Sequence, residues 1–206
     1  MMKSSLAVLA LLLSAVTAAP EKCHAMSLSG GANKGAYEMG AIYSLVNNLP
    51  AEDVAWQSVA GVSAGSIGSS GMALFAVGDE KAMADYLVGL IRNFTDSDVW
   101  VQWPGGWEEG LTLESGLINS DPLLHTMQRI FKEHDNKVQR KLTLSAVNVN
   151  NGTYEAFTEE NTAIEDLPLA AVSSSSIPFV FPNRKLKGIT LMDGGTVWNS
   201  DPQRSV

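Results

Sequence analysis

The feature that most restricts how this chain can fold is a serine flanked by two glycines, Gly61-Val62-Ser63-Ala64-Gly65. An apolar strand-like run precedes this G-x-S-x-G pattern, and a helix-like run of small residues follows it. A strand that turns at once into a helix holds its serine on a sharp corner, with the hydroxyl exposed. Both glycines are needed because a side chain there would collide with the neighbouring strand or helix. The pattern predicts a nucleophilic serine, with a plain Gly-Ser turn as the alternative.

Strand-like and helix-like segments alternate along the rest of the chain. Short apolar runs predict strands, whereas apolar residues spaced three and four apart predict helices. The predicted strands are 25–28, 58–60, 141–149, 154–157 and 188–192, and the predicted helices are 35–46, 64–77, 79–91, 121–131 and 167–176. Asn151-Gly152 predicts a hairpin. We therefore expect an α/β fold in three layers, with a mixed, mostly parallel sheet and helices on both faces.

A second glycine-rich turn, residues 29–35, also separates a predicted strand from a predicted helix. Such a loop can direct several backbone N–H groups at one negative charge, either a phosphate or the oxyanion of an acyl-transfer intermediate. It is not a Walker A loop, because Lys34 is followed by Gly35 rather than by serine or threonine. It is not a G-x-G-x-x-G loop either, because Ala32 replaces the middle glycine.

A third turn, Asp193-Gly194-Gly195, follows the last predicted strand. Alone, Asp-Gly is an ordinary turn signal. Together, the three turns supply a nucleophile, a set of oxyanion donors and a carboxylate, each just after a strand. Active sites of α/β sheets gather at such strand ends. The three turns therefore predict one active site.

The base that activates the serine is predicted to be a carboxylate. A Ser-His-Asp triad in the α/β-hydrolase order needs a histidine after the acid, and none follows Asp193. His24 precedes the serine, while His125 and His134 lie on different faces of one predicted helix. A carboxylate is a weaker base than imidazole, so it must lie in a dry pocket beside the hydroxyl. We therefore expect a dyad of Ser63 and Asp193.

These motifs resemble those of the patatin-like phospholipases, in register over residues 25–199. Residues 28–37 resemble the glycine-rich oxyanion loop of that family, with its basic residue. The nucleophile elbow of the family matches residues 61–65. Residues 173–182, followed by 193–195, resemble its closing segment, which ends in the catalytic Asp-Gly-Gly.

The resemblance implies a role for each of these residues. Ser63 would be the nucleophile and Asp193 its base. The oxyanion would be bound by N–H groups near Gly30, Gly31 and Ala32 together with that of Ala64, and the supporting residues would be Lys34, Gly35, Gly61, Gly65, Gly194 and Gly195. The implied activity is hydrolysis of lipid acyl esters, of the phospholipase A or lysophospholipase type, through an acyl-serine. It implies a lipid or phospholipid substrate, met at a membrane interface, and no metal or cofactor.

Two features depart from the family pattern. Ala32 stands where the family usually has a third glycine, so a positive φ there would strain the loop. Only 13 residues follow Asp193, where family domains usually continue, so the domain predicted at 24–206 is a short form or a fragment. Two alternatives stay open: an α/β-hydrolase esterase whose histidine lies in a missing C-terminal piece, and an inert secreted lipid-binding or storage protein.

Residues 1–18 are predicted to be a secretory signal peptide. Lys3 precedes an apolar run, 6–16, that ends in small residues and is too short to span a bilayer. The expected location is therefore outside the cell or in the lumen of the secretory pathway. The sequons at Asn93 and Asn151 become glycosylation candidates there.

The charge of the chain excludes two kinds of partner. A net charge of −8 argues against a protein that binds a nucleic-acid backbone and against a polybasic membrane anchor. The single cysteine, Cys23, excludes an internal disulfide.

Three tryptophans, Trp100, Trp103 and Trp107, lie in a predicted loop over 95–112. They indicate either an interfacial lid that dips its rings into lipid headgroups, or a small core that belongs to the loop itself.

Overall fold

The computed structural model describes residues 23–205, so the predicted signal peptide lies outside the described part of the chain. The strands are β1 His24–Leu28, β2 Trp56–Val62, β3 Lys141–Asn148, β4 Tyr154–Thr158, β5 Arg184–Leu186 and β6 Ile189–Asp193. The α-helices are α1 Gly35–Asn48, α2 Ala51–Val54, α3 Ala64–Ala73, α4 Glu80–Asn93, α5 Gly106–Thr112, α6 Asp121–Glu133 and α7 Leu167–Ser174. The 3-10 helices are Ala32–Lys34, Asp96–Asp98, Ile164–Asp166, Gly194–Thr196 and Pro202–Ser205.

The strands form one six-stranded sheet in the order β1-β2-β3-β6-β5, with β4 paired to β3. The first three strands are mutually parallel, whereas β4 and β6 run antiparallel to β3. Because β5 is antiparallel to β6, it runs in the direction of β1, β2 and β3. The expected α/β class with a mixed sheet is confirmed, since most strands point the same way.

Strand β3 brings the ends of β2 and β6 together. Its Ser145 pairs with Val62, the last residue of β2. The next residue, Ala146, pairs with Asp193, the last residue of β6. Strand β4 pairs with β3 over residues 143–147 and so occupies the opposite edge. Strands β2 and β6 therefore share one edge of β3 and meet end to end.

The main α-helices lie against one face of the sheet. Helix α3 packs on β1, β2 and β3, and α7 packs on β3, β5 and β6. Around these two helices lie α1, α4 and α6, and the apolar core fills the space between helices and sheet. Among its fully buried members are Val59 of β2, Leu144 of β3, Met72 of α3 and Phe131 of α6.

The other face of the sheet is covered by the C-terminal segment. Side chains alternate along a strand, so Ser58 and Ala60 of β2 and Thr143 and Ser145 of β3 point away from α3. These small residues are buried. The 3-10 helix Pro202–Ser205 packs against β1, β2 and β3. Helical segments therefore cover both faces, thickly on one side and thinly on the other.

Several short elements differ from the sequence prediction. The predicted loop over 95–112 is wrong in part, because it contains α5 and the 3-10 helix Asp96–Asp98. The predicted helix 64–77 ends at Ala73 instead, where Arg140 donates to the carbonyls of Phe75 and Ala76. Strand β5 and helix α2 are too short to show a hydrophobic period.

Across residues 23–205 we find no helix with the length and apolar character needed to cross a membrane.

Candidate active site

Ser63 occupies the sharp corner that its sequence motif predicts. It is the single residue between β2 and α3, and its backbone has φ of +54° and ψ of −126°. A residue other than glycine with a positive φ is uncommon, and such strained residues cluster at functional sites. The strand-to-helix turn therefore holds the serine in a conformation that the surrounding structure must stabilise.

The two glycines of the motif allow α3 to approach the sheet closely. A Cβ atom on Gly61 would overlap the carbonyl of Gly65, and one on Gly65 would overlap the carbonyl of Leu28 in β1. Both overlaps involve backbone atoms, which cannot rotate away. The predicted steric requirement for glycine, that a side chain would collide with a neighbouring strand or helix, is therefore met at both Gly61 and Gly65.

Buried serine hydroxyls bind both peptide groups of Ser63. The Ser63 N–H donates to Ser174 Oγ at 2.9 Å, and Ser174 Oγ donates to the Ser145 carbonyl at 2.5 Å. The Ser63 carbonyl lies 2.6 Å from Ser66 Oγ and 2.9 Å from Ser175 Oγ, which can donate to it. These hydroxyls stabilise the strained peptide at the corner.

Sequence reasoning gave Ser66, Ser174 and Ser175 no individual role. The only available signal was a run of serines, 173–176, at the end of an otherwise apolar helix. Hydroxyls in such a buried position need hydrogen-bond partners, and here the partners are the peptide groups of Ser63.

The side chains of Ser63 and Asp193 are joined by a short hydrogen bond. Ser63 Oγ donates to Asp193 Oδ2 at 2.6 Å, across 130 positions of sequence. Both residues are buried, with exposed fractions of 6% and 5%. The Gly195 N–H donates to the other carboxylate oxygen at 2.7 Å and fixes its orientation. The structure thus brings together the two residues that the sequence predicts as a dyad.

Burial raises the pKa of Asp193, and hydrogen bonds from Ser63 and Gly195 oppose that rise without cancelling it. A carboxylate with a raised pKa accepts a proton more readily than an ordinary aspartate. This is the dry environment that a carboxylate base requires.

Glycines also shape the turn that carries the acid. A Cβ atom on Gly194 would overlap the carbonyl of Ser145, and one on Gly195 would lie 2.6 Å from Asn199 Oδ1. The Asp193-Gly194-Gly195 turn is therefore pressed against β3 on one side and against Asn199 on the other.

The glycine-rich loop places helix N-termini beside Ser63. Gly31 is the N-cap of the 3-10 helix Ala32–Lys34, and Ala64 is the first residue of α3. N–H groups at helix starts have no acceptor within the helix, so those of Gly31, Ala32 and Ala64 suit an anion. Ala32 has φ of +49°, so the strain foreseen for an alanine at this position is present.

Asn199 binds the loop at Gly30. The Gly30 N–H donates to the Asn199 carbonyl at 3.0 Å, and Asn199 Nδ2 donates to the Gly30 carbonyl at 2.9 Å. The N–H of Gly30 is therefore already used, which corrects its predicted role from oxyanion donor to support of the loop. Asn199 was missed because one amide bonding to backbone leaves no pattern in a sequence.

Lys34 does not hold the loop in the way that the resemblance implied. Its side chain is exposed and has no hydrogen bond or ion pair to any residue within 23–205. The contact that positions the loop comes from Asn199. Gly35, the first residue of α1, lies close to Ala64, since a Cβ on it would be 3.3 Å from the Ala64 Cβ.

Ser63 lies where an apolar cavity meets a smaller cleft. The cavity has a volume of about 480 Å³ and the cleft about 290 Å³. The cavity is lined mainly by apolar side chains, among them Met39, Ile67, Leu87, Leu90, Met127 and Phe181. The cleft contains Asp193, Thr196 and Asn199. In the described part of the chain, no three His, Cys, Asp or Glu side chains converge as metal ligands would.

Neither histidine considered as a base reaches this site. His134 packs edge-on against the rings of Phe75 and Tyr86, with centroids 4.8 and 5.0 Å away. His125 and His134 do not border the cavity or the cleft.

The three tryptophans of residues 100–107 have three different environments. Trp100 lines the apolar cavity, and Trp103 Nε1 donates to the Gly116 carbonyl at 2.9 Å. Trp107 is 60% exposed. The small-core interpretation thus fits Trp103, and the surface interpretation fits Trp107.

Comparisons with known proteins agree with the fold and with the motifs. A family model for patatin-like phospholipase matches residues 26–205. The probable lipid hydrolase 463L of Invertebrate iridescent virus 6 is 26% identical over 194 residues, covering 89% of this chain and 63% of the viral protein. VipD from Legionella pneumophila has a similar fold, with a TM-score of 0.50 and 17% identity, over 89% of this chain and 47% of that one. The chain therefore spans less than two thirds of either relative. The family match confirms the resemblance drawn from the motifs.

Proposed function

This chain belongs to the patatin-like phospholipase family, and from that membership we propose that it is a lipid acyl hydrolase of the phospholipase A or lysophospholipase type. The observation that carries the proposal is the 2.6 Å hydrogen bond from Ser63 Oγ to Asp193 Oδ2 in a buried site. A strained serine bonded directly to a buried carboxylate is the arrangement that an activated nucleophile and its base require.

In the proposed reaction, Ser63 Oγ attacks the acyl carbonyl carbon while Asp193 takes the hydroxyl proton. The oxyanion of the tetrahedral intermediate accepts hydrogen bonds from the N–H groups of Gly31, Ala32 and Ala64. The intermediate then breaks the bond to the alcohol, which leaves with the proton held by Asp193. An acyl-serine remains.

Water completes the cycle in a second half-reaction. Asp193 takes a proton from the water as its oxygen attacks the acyl-serine, and Ser63 leaves with that proton. The products are a free fatty acid and the deacylated lipid. The raised pKa of Asp193 supports both proton transfers, because a carboxylate that prefers its protonated form is a stronger base.

The two spaces beside Ser63 suit the two ends of a lipid ester. The apolar cavity of about 480 Å³ matches an acyl chain in chemistry and lies within the range of small-molecule sites. The smaller cleft, to which Asp193, Thr196 and Asn199 contribute polar side chains, suits the glycerol and head-group side. We therefore propose that the ester bond lies across the boundary between them.

The geometry favours a dyad over an esterase whose histidine lies elsewhere in a longer chain. In a triad the histidine stands between serine and acid. Here the carboxylate of Asp193 itself accepts the bond from Ser63, so that position is taken. An inert lipid-binding protein is distinguished by a fluorophosphonate probe, which labels an activated serine and would leave an inert site unlabelled.

The decisive experiment is product analysis on phospholipids that carry different acyl chains at their two positions. Ser63→Ala should lower fatty-acid release by about 10³-fold or more, as expected when a nucleophile is removed. Ser70→Ala is the matched control, because Ser70 lies on α3, is buried and has no hydrogen-bond partner for its hydroxyl in the described structure. Fatty-acid release that survives in Ser63→Ala would refute the proposal.

We also propose that residues 1–18 direct the chain into a secretory pathway and that Asn93 and Asn151 accept glycans. The first proposal rests on the sequence pattern. The second is supported by the exposed positions of both asparagines, at the end of α4 and in the β3–β4 turn.

A further inference from the structure

Several exposed apolar side chains lie on the segments that line the apolar cavity or flank those segments. We call this set the rim, and its members are Tyr37, Val101, Trp107, Leu111, Leu113 and Phe179. The exposed fraction reaches 77% for Leu113 and Phe179 and 80% for Tyr37. Clustered exposure of this kind marks an interaction site, whereas single exposed apolar residues do not.

Three members of the rim are sequence neighbours of residues that line the site. Tyr37, Val101 and Phe179 each directly follow a residue that lines the cavity or the cleft beside Ser63. Three members of the rim therefore lie on segments that line the cavity or the cleft.

Backbone contacts join the segment that carries Trp107, Leu111 and Leu113 to the turn that carries Phe179. The Leu117 N–H donates to the Phe179 carbonyl at 2.9 Å. Helix α5 packs on this segment so tightly that a Cβ on Gly110 would overlap the carbonyl of Gly116. Helix α5, which carries Trp107 and Leu111, is thus held against the turn that carries Phe179.

The backbone conformation of Phe179 is independent evidence that its exposed position is functional. Its φ is +66°, a strained value for a bulky side chain. The exposed phenyl ring of Phe179 therefore carries two energetic costs, a strained backbone and an apolar surface in contact with water. Such strain is retained where it serves a function.

The charges of the segment that carries Val101, Trp107, Leu111 and Leu113 favour one kind of surface. Residues 94–119 include five acidic side chains and no lysine, arginine or histidine. Such a segment is repelled by anionic lipids, whose attraction requires basic residues. Aromatic rings such as Trp107 are favoured at the headgroup level of any bilayer.

We propose that the rim docks on a surface of zwitterionic lipids, such as phosphatidylcholine, and presents the cavity opening to it. The proposal rests on the proposed function, because docking there delivers an ester bond to Ser63. A protein seated on the rim would close the opening, whereas a lipid surface supplies the molecule that enters it.

The test is partition onto vesicles in the Ser63→Ala background, so that binding is measured without hydrolysis. The rim variant is Trp107→Ser/Leu113→Ser/Phe179→Ser. The matched control is Leu49→Ser/Val77→Ser, whose exposed fractions are 44% and 41%. Leu49 follows α1 at the end away from the site, about 20 Å from Gly35 at 1.5 Å per residue.

On phosphatidylcholine vesicles we expect the rim variant to partition at least about tenfold more weakly, and the control variant to partition as its parent does. Replacing part of the phosphatidylcholine by phosphatidylglycerol should weaken binding of the parent. As a second measurement without the triple variant, bromine-labelled phosphatidylcholine should quench tryptophan fluorescence less in Trp107→Phe than in its parent.

Equal partition of rim variant and parent would overturn the proposal, as would binding that strengthens with phosphatidylglycerol. A dimer that light scattering detects in the parent but not in the rim variant would assign the rim to a second copy of the chain instead. These outcomes are separate from failure of the proposed function, which would appear as hydrolysis of a soluble short-chain ester by Ser63→Ala.

Discussion

Asp193 shows how function and stability oppose each other at a single residue. Its carboxylate is buried and receives hydrogen bonds from Ser63 and Gly195, yet its pKa remains raised. In the window between the unfolded and folded pKa values, the native state binds more protons than the unfolded state. Stability therefore falls as the pH rises through that window, and above it the folded protein retains the full destabilisation.

Asp193→Asn should therefore raise the free energy of unfolding at pH 7, by roughly 0.5–2 kcal/mol, while abolishing hydrolysis. Asparagine keeps the shape of the side chain and can still accept from Gly195. The gain should shrink as the pH falls and vanish below the ordinary aspartate value of 3.8, where the wild-type carboxyl is protonated in both states. Urea denaturation of both proteins across this pH range measures it. A stability difference that does not change with pH would contradict this account.

In the proposed reaction, the ionisation of Asp193 also controls activity. Protonated Asp193 cannot accept the Ser63 proton, so kcat/KM should fall on the acid side with a midpoint above 3.8. An acid limb at or below that value would show that a different group controls the reaction.

Single residues could be predicted where chemistry and spacing coincide. Ser63 has glycines on both sides and a strand and a helix around it, and Asp193 follows a strand in an Asp-Gly-Gly turn. Asn199 could not be found this way, because its partner is the backbone of Gly30, 169 positions away. The roles of the serines that bind Ser63 could not be predicted either, because a hydroxyl bonded to a peptide group leaves no periodic pattern in the sequence.

At the scale of elements, the packing of α3 against β1 depends on where each glycine of the helix points. A Cβ on Gly65 would overlap the rigid carbonyl of Leu28. A Cβ on Gly68 would lie 2.5 Å from Met39 Cε, the far end of a flexible side chain.

Gly65→Ala should therefore destabilise the protein by roughly 2–4 kcal/mol and displace the nucleophile. Gly68→Ala is the matched control, since Met39 can move and alanine favours a helix over glycine by about 1 kcal/mol. We expect its stability to stay within about 1 kcal/mol of the parent. Urea midpoints of the two variants provide the measurement. Similar losses in both would show that helix packing as a whole, and not the Leu28 carbonyl, limits the elbow.

Elements with a long hydrophobic period were predicted close to their true bounds, as for α1, α4 and α6. The five-residue strands β1, β4 and β6 were also predicted to within one residue, whereas β5 and α5 were missed because they are shorter than the window in which a period can be seen. The direction in which β6 runs could not be predicted from the sequence either. Its carboxyl end does meet that of β2, but it arrives antiparallel along β3, by a pairing that only the assembled sheet determines.

At the scale of the whole molecule, the proposed secretion has a direct test. Expressed from Met1 in a eukaryotic secretory host, the protein should appear in the medium with its N-terminus at residue 19 or 20. Its mass should exceed that of the polypeptide, and Asn93→Gln and Asn151→Gln should remove the excess. Intact-mass measurement and N-terminal sequencing decide this. A cell-associated protein that keeps residues 1–18 would disprove secretion.

The end-to-end meeting of β2 and β6 has a consequence for how the protein is made. During synthesis Ser63 emerges first, and Asp193, its proposed base, is added 130 residues later, on the order of 10 s at ordinary ribosomal rates. Until β6 aligns with β3, the serine has no partner to take its proton. The proposed lipid hydrolase would therefore stay inactive during translation, because β6, the last strand of the sheet, supplies its base.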